Sequence, residues 1–345
     1  MKEKKKVKNR LDVFDFASRN PLMYVGIKND FINKIRILII SEYKTLKKFN
    51  QEFLKIDYPN LKHEFKEAKY HSLVRWINIL KAFKISREEL FKNIICFRVS
   101  GSHSKNIITL PRILILDEKF IEGYSLYLAE GDTGLSGKKI PKKLRFTNAN
   151  LGVIKFFIDW LKCYFPNNNF YVNAIIPNGI GVEKDFSKKI SEKLDIETNT
   201  IKVKNDYYND IIKYRVCCDS IIIIDLVLSL DAIIKRICST DRALAIGYIK
   251  GIMAGEGTVY FNKSRYVRVE MKNEREIKYI YNLLRNLKYD CKISLRTERP
   301  RMWSVYIGAK QLEKFYKEIG FGSQQDRQNI LKLAVDKRLR LNQYV

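Results

Sequence analysis

Zinc ligands are scarce in this sequence. Among 345 residues there are six cysteines and three histidines, and no two cysteines have the spacing of a CxxC pair. A structural zinc site needs four such ligands at short spacings, which excludes a zinc-finger or zinc-ribbon protein. Scattered thiols are typical of a reducing compartment, where cysteine is buried as a small apolar side chain.

Long apolar runs are also missing. The most apolar one, residues 221–234, is interrupted by Asp225 and Asp231, whereas a membrane helix needs about 20 apolar residues. The first ten residues are basic, but no apolar signal-peptide core follows them. We therefore expect a soluble, intracellular protein of the cytoplasm or nucleoid, without a membrane partner.

Acidic residues are outnumbered by basic ones. The chain has 65 Lys and Arg against 38 Asp and Glu, a formal net charge of +27. An excess of this size favours a polyanionic partner, nucleic acid before an anionic membrane surface. A merely basic protein from a lysine-rich proteome remains the alternative. The length and the 46% hydrophobic content allow two or three domains with cores of their own.

A helical stretch near residue 250 carries glycines at intervals of four. Gly247, Gly251 and Gly255 precede Glu256 and Gly257, and this spacing places the three glycines along one helix face. Each interior glycine costs about 1 kcal/mol of helix stability relative to alanine. The stripe therefore predicts that another backbone packs closely against it.

A second copy of this pattern lies 126 positions upstream. Residues 120–131 are apolar and helical and end in Glu130 and Gly131, with Ser125 and Ala129 at the positions of the last two glycines. The residues expected at the interface between the two helices are Ser125, Ala129, Gly247, Gly251 and Gly255. Both copies precede the same predicted order of strands and helices, which indicates an internal duplication.

The first 110 residues lie outside the duplication. Residues 72–83 form a predicted helix, 84–86 a tight turn, and Ser86 with Glu89 a capping box for the next helix. Helix, turn and capped helix is the pattern of a helix-turn-helix. Ordinary helical hairpins have the same pattern, so DNA reading and plain helical packing both remain open.

The two repeated runs resemble the LAGLIDADG motif of homing endonucleases and their relatives. In residues 249–257, Gly251, Glu256 and Gly257 match the third, eighth and final positions of the motif, and Glu130 and Gly131 match the last two in the upstream copy. The departures are Ser125 for the third-position glycine and Leu128 and Ala254 for the sixth-position acid. The resemblance covers about residues 110–335.

This resemblance implies an α+β fold. Two pseudo-symmetric αββαββα units would form a saddle of antiparallel sheets, with the two motif helices packed together as their interface. We expect three domains. They are an N-terminal, mainly helical domain over residues 1–110 with short strands at its end, a first unit over 111–239, and a second unit over 240–345 with a basic C-terminal helix.

The resemblance also implies a catalytic site. By similarity, Glu130 and Glu256 are the metal ligands, one for each DNA strand, assisted by the backbone carbonyls of Ala129 and Gly255. Two neighbouring carboxylates in a basic groove need a cation to coexist, and Mg²⁺ prefers oxygen ligands. We therefore expect Mg²⁺ or another divalent cation as the cofactor.

Basic residues alternate with apolar ones along the predicted strands of both halves. Alternation alone indicates one solvated sheet face, but a cationic face in both halves favours contacts with phosphates and base edges. Family members use a basic strand residue near each metal, which implies Lys213 and Arg301 as the catalytic counterparts by position, with Arg296 as an alternative. The predicted DNA-binding residues are Lys142, Arg145, Lys202, Lys204, Lys213, Arg215, Lys263, Arg265, Arg268, Lys272, Lys292, Arg296, Arg299 and Arg301.

The function implied is that of a monomeric, site-specific homing endonuclease of an intron-encoded mobile element, which hydrolyses double-stranded DNA at a long target site. Two alternatives on the same scaffold stay open: an intron RNA maturase, with intron RNA as partner, and a nuclease-inactive DNA-binding regulator. Two retained, mutually repelling carboxylates argue against a purely regulatory role. They do not exclude a maturase that also cuts.

Overall fold

The computed structural model describes residues 9–66, 68–99, 108–132, 143–207, 210–261, 264–296 and 302–336. The fold is α+β, as expected, and its sheets are antiparallel apart from one parallel strand pair. No helix in these ranges is long and apolar enough to cross a membrane. Five of the six free cysteines are buried, as expected for small apolar side chains.

The N-terminal segment surrounds a small sheet with helices. Its elements are β1 (Arg10–Asp12), α1 (Val13–Arg19), β2 (Met23–Ile27), α2 (Asn29–Tyr43), α3 (Leu46–Phe49), a π-helical turn (Asn50–Leu54), α4 (Tyr58–Lys66), β3 (His71–Ser72), α5 (Leu73–Ala82), α6 (Arg87–Asn93) and β4 (Ile94–Val99). Strand β2 lies between β3 and β4. Strands are therefore not confined to the end of this segment as predicted. The buried run of β2 lacks the alternation that marks a half-exposed strand.

The predicted pair of helices before residue 94 is present. The hydroxyl oxygen of Ser72 accepts from the amide of Arg75 at the start of α5, and that of Ser86 accepts from the amide of Glu89 at the start of α6. Helix α6 is two turns long and continues directly into β4. A DNA-reading role for this pair stays a prediction.

The first repeat begins after a short strand, β5 (Ile113–Ile115), which pairs with β1. It comprises α7 (Glu118–Glu130), β6 (Leu144–Asn148), α8 (Leu151–Tyr164), β7 (Tyr171–Pro177), α9 (Phe186–Leu194), a 3₁₀ turn (Thr198–Thr200), β8 (Ile201–Asp206), β9 (Lys213–Cys218), α10 (Ile221–Ser229) and α11 (Asp231–Thr240). The sheet order is β6-β9-β7-β8. Strands β7 and β8 are parallel because α9 crosses between them, as a parallel connection requires.

The second repeat has a fully antiparallel sheet. It comprises α12 (Arg242–Glu256), β10 (Gly257–Phe261), β11 (Arg265–Met271), α13 (Glu274–Asn286), β12 (Cys291–Arg296), β13 (Met302–Gly308), a 3₁₀ turn (Ala309–Gln311), α14 (Leu312–Glu318) and α15 (Gln325–Val335). The sheet order is β10-β11-β13-β12. In both repeats the strand before the middle helix pairs with the last strand, which also pairs with the strand after that helix.

The middle helices of both repeats begin at capping asparagines. The side-chain oxygen of Asn150 accepts from the amide of Val153 in α8, and that of Asn273 accepts from the amide of Glu276 in α13. Each cap satisfies one of the free amides at a helix start. The caps also fix where the preceding strands β6 and β11 end.

Candidate metal and nucleic-acid site

Helices α7 and α12 pack directly on one another through small residues. A Cβ atom on Gly247 would lie 2.7 Å from the carbonyl oxygen of Glu118, and one on Gly251 would overlap the carbonyl oxygen of Glu122 and the hydroxyl oxygen of Ser125. Real Cβ atoms essentially never come within 3.0 Å of such neighbours. The two backbones can therefore approach this closely only because glycine stands at both positions of α12.

The approach continues to the ends of the two helices. A Cβ on Gly255 would lie 2.6 Å from the Cβ of Ala129 and 3.0 Å from the Cγ of Glu130. Glu130 is the last residue of α7 and Glu256 the last of α12. The close packing of the helices thus brings the two acidic residues to one place in the structure.

The two carboxylates are in an environment that disfavours their charged forms. Burial, and next the negative charge of Glu256, raise the pKa of Glu130 to about 7. Burial also raises the pKa of Glu256, although this side chain keeps a solvent-exposed surface. A bound cation would relieve both effects, because it compensates desolvation and repulsion together. The exposed surface leaves a ligand access to the pair.

Two side chains outside the motif helices complete the surroundings of the pair. Asn148, at the end of β6, donates from Nδ2 to Oε1 of Glu130 at 3.2 Å. Arg327, on α15, donates from Nη1 to the carbonyl oxygen of Gly255 at 2.6 Å. The positive charges of Arg327 and Lys213 partly offset the rise in the pKa of Glu130, and that of Arg327 does the same for Glu256.

A cavity of about 690 Å³ opens beside Glu130. Its lining combines that carboxylate with the basic side chains of Lys213 and Arg327 and with polar side chains from both repeats. The lining residues are Glu130, Thr147, Asn148, Ala149, Asn150, Leu151, Lys213, Tyr214, Gln324, Asp326 and Arg327. An anionic ligand that enters here meets Lys213 and Arg327 within the same cavity.

The donor set fits Mg²⁺ better than a metal that needs a full cage of side chains. The described ranges contain no group of three or more His, Cys, Asp or Glu side chains placed to hold a metal. Mg²⁺ is bound through one or two carboxylates, with waters and phosphate oxygens at its other positions. Glu130 and Glu256 meet that requirement. The carbonyl of Gly255, one of the two predicted backbone ligands, accepts a hydrogen bond from Arg327 in this structure.

The basic residues of the first sheet share one face. In β6 and β9, Arg145 pairs with Cys217 and Thr147 with Arg215, while Phe146 and Val216 are buried on the opposite face. The register of β7 with β8 and β9 places Lys202, Lys204 and Lys213 on the face of Arg215. The basic residues predicted from alternation thus share one face in β6, β9 and β8, while β7, which lies between β9 and β8, places Tyr171, Asn173 and Ile175 on that face.

On the basic face of the second sheet, arginine side chains form ion pairs with a carboxylate of the same sheet. Arg268 is only 8% exposed and forms an ion pair with Glu270 at 2.8 Å, and Arg296 bonds the same carboxylate at 2.8 Å. Burial raises the pKa of Glu270, but hydrogen bonds from Arg296 and Ser304 outweigh it and hold the pKa below the usual value. Arg268 and Arg296 are therefore fixed in place by one shared carboxylate, while Lys292 is exposed.

Arg265 does not join this face. It lies in phase with the buried Val267 and Val269, and its guanidinium donates to the carbonyl oxygen of Ala334 in α15 at 3.0 Å. Arg265 therefore lies on the face opposite to Arg268, because neighbouring residues of a strand point to opposite faces, and its contact with DNA stays a prediction. Lys272 is exposed just beyond the end of β11. Four further predicted residues lie outside the described ranges: Lys142, Lys263, Arg299 and Arg301.

Comparisons with known proteins point to one group of structures. No family model and no curated protein sequence matches the chain. The structural neighbours are LAGLIDADG proteins. They include I-DmoI in complex with DNA and Mn, at 18% identity and a TM-score of 0.35, with 59% of this chain and 97% of that chain covered.

Two other neighbours have similar scores. The N-terminal LAGLIDADG domain of WhiA has 13% identity and a TM-score of 0.36, with 61% of this chain and 86% of that chain covered. The homing endonuclease I-WcaI, bound to its DNA recognition sequence, has 11% identity and a TM-score of 0.37, with 62% and 87% covered. At these identities no residue role is transferred from the neighbours, and the roles of residues in this chain are inferred from the contacts in its own structure.

The structure thus brings together Glu130, Glu256, Gly255 and Lys213 among the predicted site residues. Sequence reasoning missed two contributors, Asn148 and Arg327. Asn148 has no motif around it, and Arg327 is one arginine among 65 basic residues. Neither position carried a local signal that could have distinguished it.

Proposed function

We propose that the protein is a site-specific, double-strand DNA endonuclease that depends on Mg²⁺ or another divalent cation. The observation that carries the proposal is the meeting of Glu130 and Glu256 at the ends of two helices whose packing requires glycine. A stripe of glycines is costly in a helix, so close packing that ends in two repelling carboxylates points to a functional requirement at that end.

The two carboxylates would hold the metal, one for each DNA strand. A divalent cation bound there supplies a water of lowered pKa and stabilises charge on the scissile phosphate. Lys213, in the same cavity as Glu130, would stabilise negative charge on a phosphate bound there. The corresponding role in the second repeat falls to Arg301, which lies outside the described residues.

The substrate would be a long stretch of duplex DNA. Two sheets with the same central pairing order each present a cationic face, and we propose that the repeats form a pseudo-symmetric saddle over the duplex. Both motif helices belong to one chain, which suits a monomer that cuts both strands. The domain limits at residues 110 and 239 are part of this proposal, as is a bracing or DNA-contacting role for the N-terminal segment.

One observation favours an intron RNA maturase as the second candidate. On the cationic face of the second sheet, the rings of Tyr260 and Tyr266 stack at 4.5 Å, and the guanidinium of Arg268 lies 4.6 Å from the centre of the Tyr260 ring. Clusters of aromatic and guanidinium groups on a sheet suit the unpaired bases of RNA, which stack on such groups. Duplex DNA offers no unstacked base to them.

The test is cleavage of a randomised DNA library in Mg²⁺ by the wild type, Glu130→Gln and Glu256→Gln, with Glu274→Gln as the matched control. Glu274 is a partly exposed glutamate that pairs with Lys278 at the start of α13. We expect the wild type and the control to cut one set of sites and the two motif variants to lose double-strand cleavage. Absence of cutting by the wild type at every sequence would refute the nuclease. Binding and activation of a self-splicing intron would then support the maturase.

A further inference from the structure

Arg327 caps the end of the second motif helix in an unusual way. Its Nη1 atom lies 2.6 Å from the carbonyl oxygen of Gly255, 3.1 Å from that of Ala254 and 3.5 Å from that of Met253. These are carbonyls of the last turn of α12, which has the partial negative charge of a helix C-terminus. A single guanidinium therefore occupies the space where three carbonyl oxygens converge beside Glu256.

The position of Arg327 is fixed by contacts to both repeats. The side-chain amide of Asn150 donates to Oδ2 of Asp326 at 2.8 Å, which ties the start of α15 to the cap of α8 in the first repeat. Gly322 has a positive φ of 51°, and a Cβ there would lie 2.5 Å from Oε1 of Glu122 on α7. The segment before α15 thus crosses the motif helices at a fixed distance, and Arg327 is held over the site by the fold.

The negatively charged carboxylates of Glu130 and Glu256 also attract the guanidinium of Arg327. Burial lowers the pKa of Arg327 below its ordinary value, and the negative charges of Glu130 and Glu256 offset part of that lowering. A guanidinium keeps its charge at every physiological pH. It therefore supplies the positive charge that the acidic pair needs when no metal is present.

A metal ion held by the two carboxylates would compete with the guanidinium of Arg327 for the space at the end of α12. Both are cations attracted to the carboxylate pair, and the carbonyl oxygen of Gly255, a predicted metal ligand, is the one closest to Nη1. We propose that Arg327 is a built-in counter-ion that occupies the cation position at the end of α12 and must withdraw before a divalent cation binds there. This inference rests on the proposed function, since it takes Glu130 and Glu256 as the metal ligands.

The test is a titration of the full-length protein with Mn²⁺ in the absence of DNA, with free Mn²⁺ followed by electron paramagnetic resonance. Arg327→Gln should bind Mn²⁺ at least about tenfold more tightly than the wild type, because a competing unit charge has been removed from the site. Arg327→Lys keeps the charge but loses the planar fork, so its affinity should lie between the two. The matched control is Arg242→Gln, which removes an arginine paired with Glu318 at the opposite end of α12.

Unchanged or weaker Mn²⁺ binding by Arg327→Gln would overturn the inference, as would equal affinities of Arg327→Lys and the wild type. If Arg327→Gln does not bind Mn²⁺ more tightly, but the wild type binds Mn²⁺ and Glu130→Gln does not, the proposed metal site stands and only the counter-ion role fails. If neither the wild type nor Arg327→Gln binds Mn²⁺, both proposals fail. Circular dichroism checks folding of each variant, and Arg327→Lys carries the test if Arg327→Gln does not fold.

Discussion

The substitution Gly251→Ala tests the close packing of the motif helices most directly. The new methyl group would fall within 3.0 Å of three atoms of α7: the carbonyl oxygen of Glu122, the hydroxyl oxygen of Ser125 and, at 2.8 Å, the amide nitrogen of Leu126. Two of the three are backbone atoms, which cannot turn away as a side chain does. The helices must separate along the interface to accept the methyl group.

The expected size of the effect follows from two opposing contributions. Overpacking of a tight interior costs about 1–3 kcal/mol, and a clash with backbone belongs at the upper end. Alanine recovers about 1 kcal/mol of helix propensity relative to glycine. We therefore expect Gly251→Ala to lower the free energy of unfolding by about 2 kcal/mol.

Urea denaturation followed by circular dichroism measures this difference. The control is Gly181→Ala, because Gly181 has no atom within 4 Å of an added Cβ and is exposed; its substitution should leave stability unchanged or slightly raised. Ser125→Gly should restore part of the loss in Gly251→Ala, since it removes one of the three clashing atoms. Equal or greater stability of Gly251→Ala relative to the wild type would refute the described packing.

Three further outcomes are expected. The raised pKa of Glu130, about 7, means that the folded state holds its proton more tightly than the unfolded state. Stability of the metal-free protein should therefore fall as pH rises from about 4.5 to 7, and Glu130→Gln should flatten this part of a plot of melting temperature against pH. Glu64→Ala should cost about 3 kcal/mol in urea denaturation, because the buried carboxylate accepts from the ring nitrogens of His71 and Trp76, which would lose their acceptor; a loss below 1 kcal/mol would contradict this. Lys213→Gln should slow cleavage about 10²-fold and leave nicked plasmid as the main product; unchanged rates on both strands would remove Lys213 from the site.

The sequence predicted those features that have a local period. Glycines four residues apart identified the helix contact because a helix brings such positions to one face. Alternation identified the cationic face of the first sheet because a strand has a period of two. Arg265 precedes the alternating run and lies on the opposite face, where its guanidinium bonds a carbonyl of α15.

Features that depend on distant parts of the chain were not predictable in this way. Arg327 reaches the site only because the segment before α15 folds back across both motif helices, and nothing near residue 327 encodes that path. The sharing of Glu270 by Arg268 and Arg296 was also missed, because it depends on the pairing register of three strands. Tertiary contacts of this kind determine which of many similar cations is held at a site.

The bond between Asn150 and Asp326 joins residues 176 positions apart, and it has a consequence for biosynthesis. During translation both motif helices are synthesised before α15, so Arg327 can reach the acidic pair only after Glu130 and Glu256 are already in the chain. The site with Arg327 bound at the end of α12 cannot form until residue 327 has been synthesised and α15 has packed against the motif helices. Closure of the site is therefore a late step in maturation, and truncation before α15 would leave two repelling carboxylates and a weakened contact between the repeats.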